Sequence, residues 1–260
     1  MKKILCIVLS AVMLFCMASV ALAEPEEAEG DVTIYLTRHG KTMFNATGQM
    51  QGWSDTPLLE EGIELAKALG AGLKEEGVEF DAVYASDLNR QRMTAKYAME
   101  ELGIPYETLK EIVGLREVCY GSVEGMPGDP IYQIMVDENN LNAIYEVFVV
   151  LGFGAILDKI AELDELGMAE TLDVASARIQ GALDEIVADA QENGYDTVLA
   201  ITSGMITNIL VEALGAEMNG ELANCSVTKI VYHDGEYTIE SLGDTSYLEK
   251  GQEILGIAVE

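Results

Sequence analysis

An α/β fold, built as a three-layer sandwich with a mostly parallel central sheet and helices on both faces, is what this 260-residue sequence predicts. Three observations carry the prediction. Short runs rich in β-branched and aromatic residues stand at Val32–Thr37, Phe80–Ala85 and Thr197–Thr202, the composition of buried strands. Between them lie longer stretches with helical periodicity, and strands alternating with helices argue for parallel pairing covered on both faces. The first strand also ends in Arg38-His39-Gly40 and a polar loop, and open α/β sheets place ligand chemistry at the carboxyl ends of their strands.

Residues 1–23 combine Lys2 and Lys3, a long apolar run and Ala21-Leu22-Ala23 before an acidic segment. This is the pattern of a secretory signal cleaved after Ala23, so export from a bacterial cytoplasm is expected. An uncleaved N-terminal membrane anchor is the alternative, because the apolar run is nearly long enough to span a bilayer. Residues 24–30 read as an acidic tether, and 31–260 as one domain with a sizeable core. The formal charge is −30, which disfavours nucleic acid and anionic lipid as partners and fits solubility outside the cell. Cys119 and Cys225 follow the signal; export permits a disulfide, and two buried free thiols fit the spacing equally well.

Within the domain, Leu59–Glu76 reads as an amphipathic helix with Ile63, Leu65, Ala66, Leu69 and Leu73 inward. After the strand at Phe80–Ala85, a helix is expected from about Leu88 to Leu102, capped by Ser86 or Asp87. A long helix follows from Glu170 to about Glu192. The strand at Thr197–Thr202 leads through Ser203-Gly204 into a helix over 206–214. Val227–Tyr232 and Glu236–Leu242 form a hairpin around His233-Asp234-Gly235, whose histidine is expected to be an exposed turn residue.

The chain's chemistry is concentrated at Arg38-His39-Gly40-x-Thr42-x-x-Asn45, then Gln51-Gly52-x-x-Asp55-x-Pro57-Leu58 and Gly62. At these residues it resembles the histidine phosphatase superfamily, in the branch containing cofactor-dependent phosphoglycerate mutases. The acid phosphatase and phytase branch continues Arg-His-Gly with Arg-x-Pro, which Lys41-Thr42-Met43 does not. Two further blocks fit the same family: Ser86-x-Leu88-x-Arg90-x-x-x-Thr94-Ala95, and Leu115-Arg116-Glu117 followed by Tyr120-Gly121 and Glu124-Gly125.

The resemblance implies a phosphohistidine mechanism. His39 would be the nucleophile and Glu117 the general acid and base. Arg38 and Arg90 would clamp the phosphoryl group, with Asn45, Gln51, Gly52, Ser203 and Gly204 around it. Arg116 reads as a structural partner and Glu124 as a surface or turn residue. No cofactor or metal is expected, since no ligands cluster at metal spacing. A small helical cap insertion is implied at about 126–168. Its only cation is Lys159, whereas phosphoglycerate mutases place two arginines there for the substrate carboxylate.

One position departs from the pattern. The family ends its fourth block in Ser-His-Gly, and this chain reads Thr202-Ser203-Gly204. Ser203 can donate one hydrogen bond but cannot carry a charge. Three function classes stay open on these residues: an exported phosphomonoesterase acting on a small phosphate ester, a phosphate-binding pseudoenzyme, and a mutase, which the cap disfavours. The natural substrate and the oligomeric state are not legible.

Overall fold

A computed structural model describes residues 30–216 and 222–257. The expected signal peptide and nearly all of the acidic tether lie outside the described residues. No helix among the described residues is long and apolar enough to cross a membrane.

Six strands form one sheet. In chain order they are β1 (Val32–Arg38), β2 (Ala82–Ala85), β3 (Lys110–Glu111), β4 (Thr197–Thr202), β5 (Val227–His233) and β6 (Glu236–Asp244), and their spatial order is β3-β2-β4-β1-β5-β6. β3, β2, β4 and β1 pair in parallel, while β5 and β6 pair antiparallel at one edge. The hairpin turns at Asp234-Gly235, both at positive φ (48° and 87°), as a two-residue turn matching strand twist requires. His233 is exposed and bonds Asp31 at 2.6 Å, far along β5 from the end of β1.

Side chains alternate along β1. Ile34 and Leu36 enter one core with Val198, Ala200 and Ile230; Tyr35 enters a second with Val83, Leu199 and Ile201. The second core is closed by α1 (Glu60–Glu75), α2 (Asn89–Leu102) and a C-terminal helix, α7 (Ser246–Leu255). The first is closed by α5 (Leu172–Asn193) and α6 (Gly204–Ala213), and it continues into the cap through α3 (Gly128–Asn139) and α4 (Gly152–Leu163). A π-helical turn at Val147–Leu151 leads into α4. Ile131, Met135, Phe153, Ile156, Leu157 and Ile160 share that core with Ile179 and Leu183 of α5, so the inner faces of the cap helices are core.

Several elements differ from the sequence reading. The expected cap of α2 is not used: Leu88 occupies the position with no side-chain bond. Asp55, from the loop after β1, accepts from the amides of Asn89 and Arg90 instead. Asp87 is turned to Arg116, which it holds with two hydrogen bonds. Cys119 and Cys225 are both free and buried. Helix α7, strand β3 and the helical turn at Met43–Thr47 were not anticipated.

Helix α7 lies close against α1 because two glycines permit it. A Cβ at Gly72 would stand 1.7 Å from the Tyr247 carbonyl oxygen, and one at Gly251 1.7 Å from that of Ala68. Gly251→Ala must force the helices apart, and we expect it to cost about 1–3 kcal/mol. Chemical denaturation of the wild type and the variant measures the difference.

Candidate active site

The register of β1 and β4 builds the centre of the site. Arg38 lies opposite Thr202 in the parallel ladder, and the His39 amide continues it by donating to the Thr202 carbonyl at 3.0 Å. The carboxyl ends of two adjacent strands therefore deliver Arg38-His39 and Ser203-Gly204 side by side. Gly40 must pass tightly over α1, since a Cβ there would meet the Gly62 carbonyl oxygen at 2.4 Å. Its amide donates to Thr94 Oγ1 at 2.9 Å, and that hydroxyl donates to the Arg90 carbonyl at 2.7 Å. This chain of bonds ties the His39 loop to α2.

His39 is buried, with Nδ1 2.8 Å from the Gly40 carbonyl oxygen. A carbonyl only accepts, so Nδ1 carries the hydrogen and Nε2 keeps its lone pair. Burial, reinforced by the Arg90 and Arg38 guanidinium groups, holds the imidazole pKa well below its ordinary 6.5. The result is a neutral imidazole with a fixed tautomer, the form in which histidine is a nucleophile.

Glu117 is buried against the start of α6. Its Oε1 accepts from the amides of Val118 and Ile206, each at 2.8 Å, and its Oε2 from that of Met205 at 3.0 Å. Burial raises the carboxyl pKa above 4.5, against the pull of those amides and of Arg90. Its loop is held from both sides. Trp53 Nε1 donates to the Glu117 carbonyl at 3.0 Å, and Arg178 donates to the carbonyls of Gly114, Arg116 and Glu117 while pairing with Glu170 through two 2.7 Å bonds. Arg116 is a structural partner, bound to Asp87 and lying 4.8 Å over the Trp53 ring.

Among the described residues, Arg90 is the largest fully buried side chain. Its Nη2 donates to the Gly52 carbonyl at 2.7 Å, and its Nη1 to the Ser54 carbonyl at 3.1 Å and Asp55 Oδ1 at 3.2 Å. Gly52 thus orients the guanidinium through its own backbone. Glycine is required there, because a Cβ would stand 2.1 Å from the Val118 carbonyl oxygen. Gln51 is a strut, its oxygen 2.6 Å from Thr42 Oγ1 and its nitrogen donating to Thr56 Oγ1 at 2.9 Å. Asn45 completes a capping box with Thr42. Arg38 donates through Nη1 to the Leu222 carbonyl, and Gly204 packs on its guanidinium, where a Cβ would lie 3.3 Å from Nε.

Two contributors escaped the sequence reading. Asn224 donates to the His39 carbonyl at 2.8 Å. Glu124, expected as a surface or turn residue, organises the loop that holds Arg90. Its carboxylate accepts from the amides of Gly52 (2.9 Å), Trp53 (2.7 Å), Ser54 (3.1 Å) and Tyr120 (3.0 Å), and from Ser54 Oγ (2.5 Å). Three consecutive amides converging on one carboxylate is a tertiary arrangement, and the only local hint of it was Glu124-Gly125 at its place in the third block.

The comparisons bear on this geometry directly. The model of the histidine phosphatase superfamily, branch 1, matches residues 34–142 and 154–245. The chain belongs to that family. It is 30% identical over 230 residues to a probable phosphoglycerate mutase, GpmB, of Yersinia pestis (strain Pestoides F), covering 83% of this chain and 94% of that protein. Among solved structures it resembles a phosphoglycerate mutase of Bacillus anthracis (35% identity, TM-score 0.76, 86% of this chain and 98% of that one). It also resembles YhfR of Bacillus stearothermophilus (29% identity, TM-score 0.65, 84% and 99%).

Because five donors converge on Glu124, its loss reaches Arg90. We expect Glu124→Ala to lower stability by about 2–3 kcal/mol, in line with charged hydrogen bonds replaced by unsatisfied amides. A guanidinium-chloride titration, followed through the chain's single tryptophan at position 53, reads both the stability and the release of this loop.

Proposed function

We propose that this protein is an exported phosphomonoesterase that works through a phosphohistidine. The observation that carries the reading is the pairing of two opposed environments. One holds His39 neutral with Nε2 unprotonated; the other raises the pKa of the buried Glu117 carboxyl. Groups tuned apart in this way are what nucleophilic attack with protonation of a leaving alkoxide requires. His39 Nε2 would attack phosphorus while Arg38 and Arg90 offset the charge on the non-bridging oxygens. The P–O bond to the alcohol would break as Glu117 donates its proton to the departing oxygen. Water would then attack the phosphohistidine, its proton passing to the Glu117 carboxylate, and P–N cleavage would regenerate His39 with release of phosphate.

Membership of the superfamily supports phosphoryl chemistry at His39, and the apolar segment at residues 1–23 supports export. The cap supports hydrolysis over mutase action, although relatives carry the mutase name. Its only cation, Lys159, is held by Glu138 at 2.7 Å and Glu162 at 2.6 Å. Nothing else of positive charge between 126 and 168 could hold a substrate carboxylate. A monoester whose alcohol portion lacks further anionic groups fits this cap better than phosphoglycerate does. The second reading, a phosphate-binding pseudoenzyme, draws on Ser203 in place of the family's second histidine.

On an aryl phosphate, turnover is expected without added metal and undiminished by a chelator. His39→Ala should reduce it to background; turnover surviving that substitution overturns the reading. Interconversion of 2- and 3-phosphoglycerate, followed by a coupled assay, should be undetectable. The pH profile follows from the two environments. Protonation of His39 removes the nucleophile, so the acid limb should lie below pH 6.5, the ordinary imidazole value. Deprotonation of Glu117 removes the acid, so the alkaline limb should lie above pH 4.5, the ordinary carboxyl value. Glu117→Gln should erase the alkaline limb and depress alkyl phosphates more than aryl phosphates, because the poorer leaving group depends more on the proton.

A further inference from the structure

Ser203 occupies the N-cap of α6, yet its side chain caps nothing. An N-cap serine ordinarily accepts from the second or third amide of its helix. Here those amides, of Met205 and Ile206, belong to Glu117. The freed hydroxyl is turned elsewhere: Gln91 Nε2 donates to Ser203 Oγ at 2.7 Å, and both residues are completely buried. The Leu115 carbonyl, 3.4 Å from the same nitrogen, fixes which end of the amide faces the serine. Gln91 thus takes one of the two acceptor lone pairs of Oγ; Ser203 donates to no acceptor among the described residues, and Gln91 Oε1 has no donor.

The position of this hydroxyl is specified by its neighbours. The residue before it receives the His39 amide, the residue after it packs on Arg38, and the next two bind Glu117. Gln91 itself directly follows Arg90 on α2. A buried hydroxyl with an uncommitted hydrogen, on a backbone segment bonded to His39 and Glu117 and packed on Arg38, is a donor suited to a phosphoryl oxygen.

We propose that Gln91 is a positioning residue that aims the Ser203 hydroxyl at the phosphoryl group. The pair then supplies, as a neutral two-residue donor, the hydrogen bond that an imidazole supplies elsewhere in the family. The proposal rests on the phosphoryl-transfer reading of the site. On this proposal an imidazole introduced by Ser203→His would compete with Gln91 for the place of the hydroxyl, so Ser203→His alone should restore little turnover. Removing the Gln91 amide leaves no orphan at Leu115, whose carbonyl keeps the Thr202 hydroxyl at 2.8 Å.

The test is a cycle of Gln91→Met, Ser203→Ala and the double variant, with kcat and KM measured on p-nitrophenyl phosphate. Orthovanadate affinity is read from Trp53 fluorescence, and melting temperatures are recorded alongside. Each single variant should lose roughly tenfold or more in kcat with little change in KM, as a transition-state donor requires. The double variant should be no worse than the poorer single one, because both remove the same bond to phosphorus. Gln91→Ala combined with Ser203→His should exceed Ser203→His alone in kcat. Wild-type kcat in Gln91→Met, or losses that multiply in the double variant, overturns the proposal and leaves the phosphatase reading intact. If the wild type binds vanadate without turning over esters, the hydrolase reading fails, and the same cycle on vanadate affinity decides the pair. A wild type that neither hydrolyses nor binds vanadate overturns both.

Discussion

Three backbone amides on one buried carboxylate hold this site together. Glu117 takes the amide of its own neighbour Val118 and the amides of Met205 and Ile206 at the start of α6. A helix N-terminus leaves such donors unsatisfied and carries a partial positive charge. A carboxylate placed there gains enough to offset part of its burial cost. Burial still prevails, and the carboxyl pKa stays raised. One contact therefore joins the loop after residues 113–115 to the end of β4, keeps a carboxyl of raised pKa in the site, and leaves Ser203 with no capping role.

Around that contact the charges are arranged in shells of opposite sign. Arg178 is neutralised by Glu170 and spends its remaining donors on carbonyls flanking Glu117. Arg90 is met by Asp55 and two carbonyls of the loop that Glu124 gathers. Breaking a buried pair of this kind strands a charge, which is why such pairs specify geometry more than they add stability. The chain is strongly acidic overall, yet the cations at its centre are few and each is held by several partners. In the cap the same economy leaves Lys159 paired within its own segment, to Glu138 and Glu162.

Much of this was legible in the chain. Val32–Thr37 and Thr197–Thr202 are short β-branched runs whose residues alternate between two apolar cores once paired, and strand composition reports that burial directly. Arg38-His39-Gly40 and Leu115-Arg116-Glu117 announced themselves as blocks because their spacing is local. Strand β3, two residues long, is too short to carry such a pattern, whereas helix α7 is amphipathic over Ser246–Leu255 and was legible from that signal, although its close contact with α1 through Gly72 and Gly251 was not. Cap assignment failed at α2 for the same reason: Ser86 and Asp87 were the local candidates, and Asp55 arrived from a distant loop.

The sequence by itself determined the fold class and most of the order of strands and helices, because periodicity acts over a few residues, and its motif blocks carried the family resemblance that implied which side chains could do phosphoryl chemistry. It also determined that Ser203 stands where a histidine would. Only the tertiary structure decided what each polar group is committed to. Gln51 became a strut between Thr42 and Thr56, Gly52 a support for Arg90, Glu124 the anchor of the loop at 52–54, and Gln91 met Ser203 from another helix. Buried polar groups must find partners wherever the packed chain offers them. That accounting closes across elements far apart in sequence, where no local pattern records it.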